Sequence, residues 1–196
     1  MMKEQKTKET IIKNIREALL ERNTVETVED PVGAVPPDDF DRPVAFAKRY
    51  IGLGGTLDYS SNESEIKQYI ERIRTQCGNA VIGCSNENLT AFVSHLGVTD
   101  VFAAKPEKRY TLGILLCECL IADSGSIVFS DKLGYGTVFP TLPRDTVVLA
   151  FTSQVVDNWN EATVRIRENN KTYPRELTLL PPQNSKQIHL LLVEDE

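Results

Sequence analysis

The stretch LGILLCECLIADSGSIVFS, residues 112–130, sets two apolar runs either side of a short polar turn, with a carboxylate, Glu118, standing between two cysteines. Continuous apolar runs of this length read as strands buried on both faces. Working outward, the runs TVVLAFT and IHLLLV follow towards the C-terminus, and AVI at residues 80–82 precedes. Between them lie segments with apolar residues at helical spacing. Ile66, Ile70 and Ile73 follow a capping Asn62 or Ser61, and Leu89, Phe92, Val93 and Leu96 follow Asn86. Pro43 suits a first helical turn ahead of Val44, Phe46, Ala47, Tyr50 and Ile51. A further helix is expected from a Ser153 cap through Val155, Trp159, Ala162 and Ile166. Strands alternating with amphipathic helices predict an α/β fold with a largely parallel sheet covered by helices on both faces.

Residues 1–40 read differently. Ile11, Ile12, Ile15 and Leu19 form the narrow stripe of an amphipathic helix, and Pro31, Gly33, Pro36 and Pro37 mark a spacer laid over the surface. The expected organisation is this N-terminal helix and spacer, then one α/β domain over residues 41–196.

Composition narrows the function. The chain has 196 residues, 22 Lys plus Arg against 28 Asp plus Glu, and a net charge of −6. Such a surface repels phosphate backbones, which argues against nucleic acid as a partner. No apolar stretch approaches the ~20 residues that span a bilayer, and the charged N-terminus lacks the apolar core of a secretion signal, so a cytoplasmic protein is expected. Cys77, Cys84, Cys117 and Cys119 contain no CxxC spacing and read as buried thiols rather than ligands, so no metal or other cofactor is expected. His95 and His189 stand in no Ser-His-Asp or Cys-His arrangement.

Two segments are candidates for chemistry. The first is Glu118 with the Ser124-Gly125-Ser126 turn. Ligand crevices of open α/β sheets lie at the carboxyl ends of strands, and a small-hydroxyl-glycine turn offers N–H groups and hydroxyls to a carboxylate or phosphate. The same residues make an ordinary hairpin turn, and the chemistry of the residues alone favours that reading. Glu118 is either buried, where desolvation suits it to act as base or nucleophile, or turned to solvent, and the sequence leaves the two even. The second segment is LGYGTVFPTLPRD, residues 133–145, where Gly134 and Gly136 begin a dinucleotide fingerprint that Phe139 and Pro140 break.

The run from residue 117 through LPRDTVVLAFTSQVVDNWNEATVRI resembles the signature region of the lactate-utilisation protein C family, whose LUD domain carries an acidic residue, a Thr/Ser-Gly-Thr/Ser turn, an apolar strand, a Gly-Arg loop and a Leu-Pro-Pro-x-His turn. The likeness covers residues 110–168 and the closing IHLLLVED. It implies a fold resembling the NagB/RpiA/CoA-transferase-like group, and a place beside iron–sulfur oxidoreductase subunits that convert L-lactate to pyruvate. Carried over onto this chain, Glu118 is the one candidate catalytic acid, base or nucleophile, and Ser124, Gly125, Ser126 and Gly136 are candidate ligand-binding residues for a small organic acid or a CoA-like molecule.

The departures are specific. Thr137 replaces the loop arginine, Thr146 replaces the histidine, and the Gly-Pro-Ser and Asp-Ile-Glu segment before the last strand is missing. The sequence therefore points to an accessory or ligand-binding protein of lactate or organic-acid utilisation with weak or no catalysis of its own. Its alternatives are an enzyme using Glu118 on an organic acid or CoA thioester, and a structural subunit that docks through its N-terminal helix.

Overall fold

Six strands, none longer than seven residues, form the main sheet, and its inner strands carry the core because they are apolar on both faces. The structure is a computed structural model that describes residues 41–134, 136, 143–182 and 187–195. The expected N-terminal helix and its spacer, residues 1–40, lie outside the described residues.

The chain enters through α1 (Arg42–Gly52), whose N-cap Asp41 accepts a hydrogen bond from the Val44 N–H and whose first turn holds Pro43. After β1 (Thr56–Ser60), Asn62 caps α2 (Glu63–Gln76) through the Glu65 N–H, and the Glu65 carboxylate reaches back to the Ser61 N–H at 2.9 Å. Then come β2 (Ile82–Cys84), α3 (Glu87–His95) capped by Asn86, β3 (Val101–Ala103) and β4 (Leu112–Leu116). Strands β5 (Cys119–Ile121) and β6 (Ser126–Ser130) form a hairpin that runs into a 3-10 turn at Asp131–Leu133. The remainder is β7 (Asp145–Phe151), a 3-10 turn at Thr152–Gln154, β8 (Val155–Val156), α4 (Trp159–Asn169), β9 (Leu177–Leu180) and β10 (Gln187–Val193).

A large sheet has the order β1-β10-β7-β4-β2-β3, parallel throughout. Alternation along its strands splits the core in two. Ile82, Cys84, Leu112, Ile114, Val147, Leu149 and Leu191 face α2 and α3, where Ile66, Ile70, Ile73, Leu89 and Val93 meet them. On the other face Leu57, Leu115, Val148, Ala150, Leu190 and Leu192 meet Val44, Phe46, Ala47 and Tyr50 of α1. The Phe46 and Tyr50 rings stack with centroids 5.5 Å apart. The parallel sheet with helices on both faces is as the sequence pattern predicts.

The sequence pattern does not show that SIVFS leaves this sheet. With β5, β8 and β9 it forms a second, small sheet of order β8-β5-β6-β9, in which β5, β6 and β9 are antiparallel neighbours. One side of it, with Leu120, Ile127 and Phe129, packs into the α1 core, and the other, with Cys119, Ile121 and Val128, is covered by Ala162 and Ile166 of α4. Phe129 is wholly buried, so truncating it to alanine costs about 3–5 kcal/mol.

The helix expected from Ser153 starts six residues later. Val155 and Val156 pair with Leu120 and Ile121, a strand environment that suits β-branched residues, and Asn158 supplies the cap through the Glu161 N–H. Ser153 is occupied elsewhere, since its N–H and hydroxyl both donate to Asp195. Trp159 is consequently exposed rather than inward. Among the described residues no helix is long and apolar enough to cross a membrane.

Candidate functional site

In a parallel sheet every strand delivers the residue after its last one to the same edge. Here that edge receives Ser85 after β2, Cys117 and Glu118 after β4, Thr152 to Gln154 after β7, and Glu194 and Asp195 after β10. The groups are tied to one another. Gln154 accepts from the Phe151 N–H at 2.8 Å and donates to the Cys117 carbonyl at 2.9 Å. Asp195 accepts from the Thr152 hydroxyl at 2.8 Å and the Ser153 N–H at 2.9 Å. Burial pushes the Asp195 carboxyl up, but the bonds from Ser153 and Thr152 outweigh it and hold it below the usual carboxylate value.

Glu118 is buried, with 8% of its surface exposed. Its N–H donates to Val128 O at 2.8 Å, which continues the hairpin ladder by one rung. Its side chain is held between elements: the Ser130 hydroxyl donates to Oε1, and Asn170, just past α4, donates to Oε2 at 3.4 Å. A buried carboxylate must be hydrogen-bonded to persist, and both oxygens here have donors. The residue is neither solvent-facing nor bare.

The Ser-Gly-Ser turn is elsewhere. Gly125 closes the hairpin with φ +65° and its N–H on Ile121 O at 2.9 Å, and Ser126 opens β6 opposite Ile121. Five residue steps, through the three-residue β5, separate Glu118 from Asp123, at most roughly 16 Å at strand rise. A Cβ on Gly125 would stand 3.3 Å from Tyr50 N and Cα and from Arg49 Cγ, so this turn lies against α1. The Ser124 hydroxyl and the Arg49 Nε are both buried there, and among the described residues neither has a hydrogen-bond partner. An unpaired hydroxyl beside a guanidinium is a donor set suited to a carboxylate.

Gly136, with φ +81°, comes within 3.2 Å of Glu176 Oε2 at its Cβ position. Asp131, next to Ser130, accepts from the Arg175 and Glu176 N–H groups. The fold thus brings Glu118 and Gly136 to one end of the hairpin and carries Ser124, Gly125 and Ser126 to the other. Three residues that sequence reasoning missed complete these ends: Ser130 and Asn170 around Glu118, and Arg49 at the turn. Only Ser130 left a trace in the sequence, because a turn centred on residues 122–125 sets it near Glu118 in register.

Other sequence candidates resolve simply. Thr146, at the family's histidine position, is fully buried in β7 with its hydroxyl on Pro143 O at 3.1 Å. Thr137 lies outside the described residues. Cys84, Cys117 and Cys119 are buried, and burial pushes the Cys84 and Cys119 thiols up to about 12, so they pack as neutral hydrophobes. Among the described residues no group of three or more His, Cys, Asp or Glu is arranged to hold a metal ion. His95 is exposed on α3, and His189 Nε2 lies 3.8 Å from Asp145 Oδ1 at the amino ends of β7 and β10.

The architecture defines an α/β protein built on a parallel six-stranded sheet with an added small sheet at its carboxyl side. Residues 105–193, a little under half of the chain, match the family model of the LUD domain. Among solved structures it is similar to a DUF162 family protein from Deinococcus radiodurans, at 18% identity and a TM-score of 0.61, over 82% of this chain and 100% of that one. At that identity the likeness shows the fold. No curated protein matches the sequence.

Proposed function

We propose that this protein is an accessory, ligand-binding component of L-lactate or related organic-acid utilisation, with weak or no catalysis of its own. The LUD domain itself suggests a lactate-utilisation-related protein. The observation that carries the accessory reading is the state of Glu118, buried with donors on both oxygens and set a hairpin's length from the Ser-Gly turn. A base or nucleophile must reach its substrate within hydrogen-bond distance, and both oxygens of this buried carboxylate are instead taken up by Ser130 and Asn170. Binding falls instead to the turn, where Ser124 and Arg49 present unpaired donors to an organic acid. Iron–sulfur oxidoreductase subunits are the partners this role implies, and the cytoplasm, where the four unpaired cysteines stay reduced, is its setting.

Thermal unfolding of the pure protein against L-lactate, pyruvate, CoA, acetyl-CoA and sugar phosphates tests the proposal. A ligand at about 100 times its Kd stabilises the fold by roughly 2.7 kcal/mol. A shift with a small organic acid that Arg49→Gln or Ser124→Ala abolishes supports it. Turnover of lactate or an acyl-CoA by the isolated protein at ~10 s⁻¹ would overturn it. The burial of Glu118 at the carboxyl end of β4 favours one alternative, an enzyme using this carboxylate on an organic acid or CoA thioester, in which Glu118→Gln abolishes turnover.

A further inference from the structure

Among the described residues, the face of the large sheet that holds α1 and the small sheet is covered over β1, β10, β7 and β4 but not over its last two strands. In β2 and β3, Ile82, Cys84 and Val101 turn towards α2 and α3. Alternation therefore sends Val81, Gly83 and Phe102 to the other face, with Gly83 and Phe102 paired in register. The Tyr110 ring lies over Gly83, where a Cβ would stand 2.6 Å from it. Among the described residues no element covers the face beyond that ring, and Val81 and Phe102 are 51% and 54% exposed. Together with Lys108, Arg109 and Thr111 these side chains line a hollow of about 320 Å³. It combines an apolar and aromatic floor with a basic rim, on a chain whose net charge is −6.

We propose that this hollow is the seat of the chain's own acidic segment, residues 24–40. The segment TVETVEDPVGAVPPDDF carries Glu26, Glu29, Asp30, Asp38 and Asp39 and no Lys, Arg or His, so its charge is opposite to the rim. Val25, Val28, Val32 and Val35 supply apolar side chains for the floor. Reach is ample. The segment joins α1 at Asp41, on the same face of the sheet, and the width from β1 to β3 is five strand spacings, about 24 Å. Seventeen residues extend to roughly 56 Å. Docking there would cover the exposed Phe102 and neutralise Lys108 and Arg109, and it stands independently of what the Ser-Gly turn binds.

Zero-length carbodiimide coupling of the full-length protein, read by peptide mass spectrometry, tests this, because it joins an ammonium to a carboxylate only at salt-bridge distance. Lys108 should couple to one of the five carboxylates of residues 24–40. In a mixture of ¹⁵N-labelled and unlabelled protein the linked peptides should carry a single isotope. Phe102→Ser and Arg109→Glu, both at exposed positions that leave the core and Lys108 intact, should each lower the yield roughly fivefold. Several outcomes would overturn the proposal: no Lys108 link to this segment while other lysines couple, a yield unchanged in both variants, or linked peptides of mixed isotope, which would assign the hollow to a second copy.

Discussion

The two ends of the β5–β6 hairpin are built on opposite plans. At one end Glu118, Ser130 and Asn170 satisfy one another, and the chain beyond Ser130 is pinned by Asp131 to the backbone of Arg175 and Glu176. At the other end a left-handed glycine is set against α1, and Ser124 and Arg49 keep buried polar atoms without partners among the described residues. Satisfied polar clusters rigidify a core, whereas unpaired buried donors are where a ligand or an ordered water gains most. On the proposed reading the Glu118 end serves stability and the Ser124 end binding, although the sequence presents both as one motif.

Substitutions can break or sharpen this contrast. The largest effect is expected at Gly134, beyond Ser130, where a Cβ would stand 2.5 Å from the Ser85 carbonyl oxygen and φ is +91°. Gly134→Ala should lose roughly 3 kcal/mol or more in urea unfolding, since a backbone atom cannot give way as a side chain can. Ser130→Ala should come next, at about 2 kcal/mol, because it strips the donor from a buried carboxylate oxygen. Pairing it with Glu118→Gln should recover part of that loss. If the double variant is no better, Glu118 is not held in the way described.

Gly125→Ala is expected to cost about 1–2 kcal/mol, the penalty of left-handed backbone with only moderate crowding at 3.3 Å. Should it match Gly134→Ala, the turn is as rigid as the Glu118 end and the contrast fails. The smallest effect is a control outside the hairpin. Burial pushes the His189 pKa below its ordinary 6.5, and the neighbouring Asp145 only partly opposes it. The fold therefore favours neutral imidazole. Its contribution is complete above pH 6.5 and is lost as pH falls through the folded pKa. Unfolding measured from pH 8 to 5 should show a shallower decline for His189→Gln than for the unaltered protein.

Much of the fold could be read from residue patterns. Asn62 and Asn86 cap the helices expected of them, and Pro43 sits in a first turn. The helix at residue 159 was misread from Ser153 because helical spacing through Val155 coincides with a strand that exists only by pairing with β5. The candidate site was legible in its residues but not in its arrangement. Arg49 is an ordinary helix arginine until the hairpin is laid against α1, and Asn170 reads as a helix end until it meets Glu118 from 52 positions away.

By itself, the sequence determined the α/β class, the capped helices, the LUD-domain resemblance and the candidate residues, because these depend on local spacing and on which side chains are present. Only the tertiary structure decided that β5 and β6 leave the parallel sheet, that Glu118 is buried with two donors, and that the Ser-Gly turn lies against Arg49 and Tyr50 of α1. Those outcomes depend on which surfaces meet across tens of residues, and a hairpin's two ends, adjacent in sequence, are held apart by the extended backbone between them.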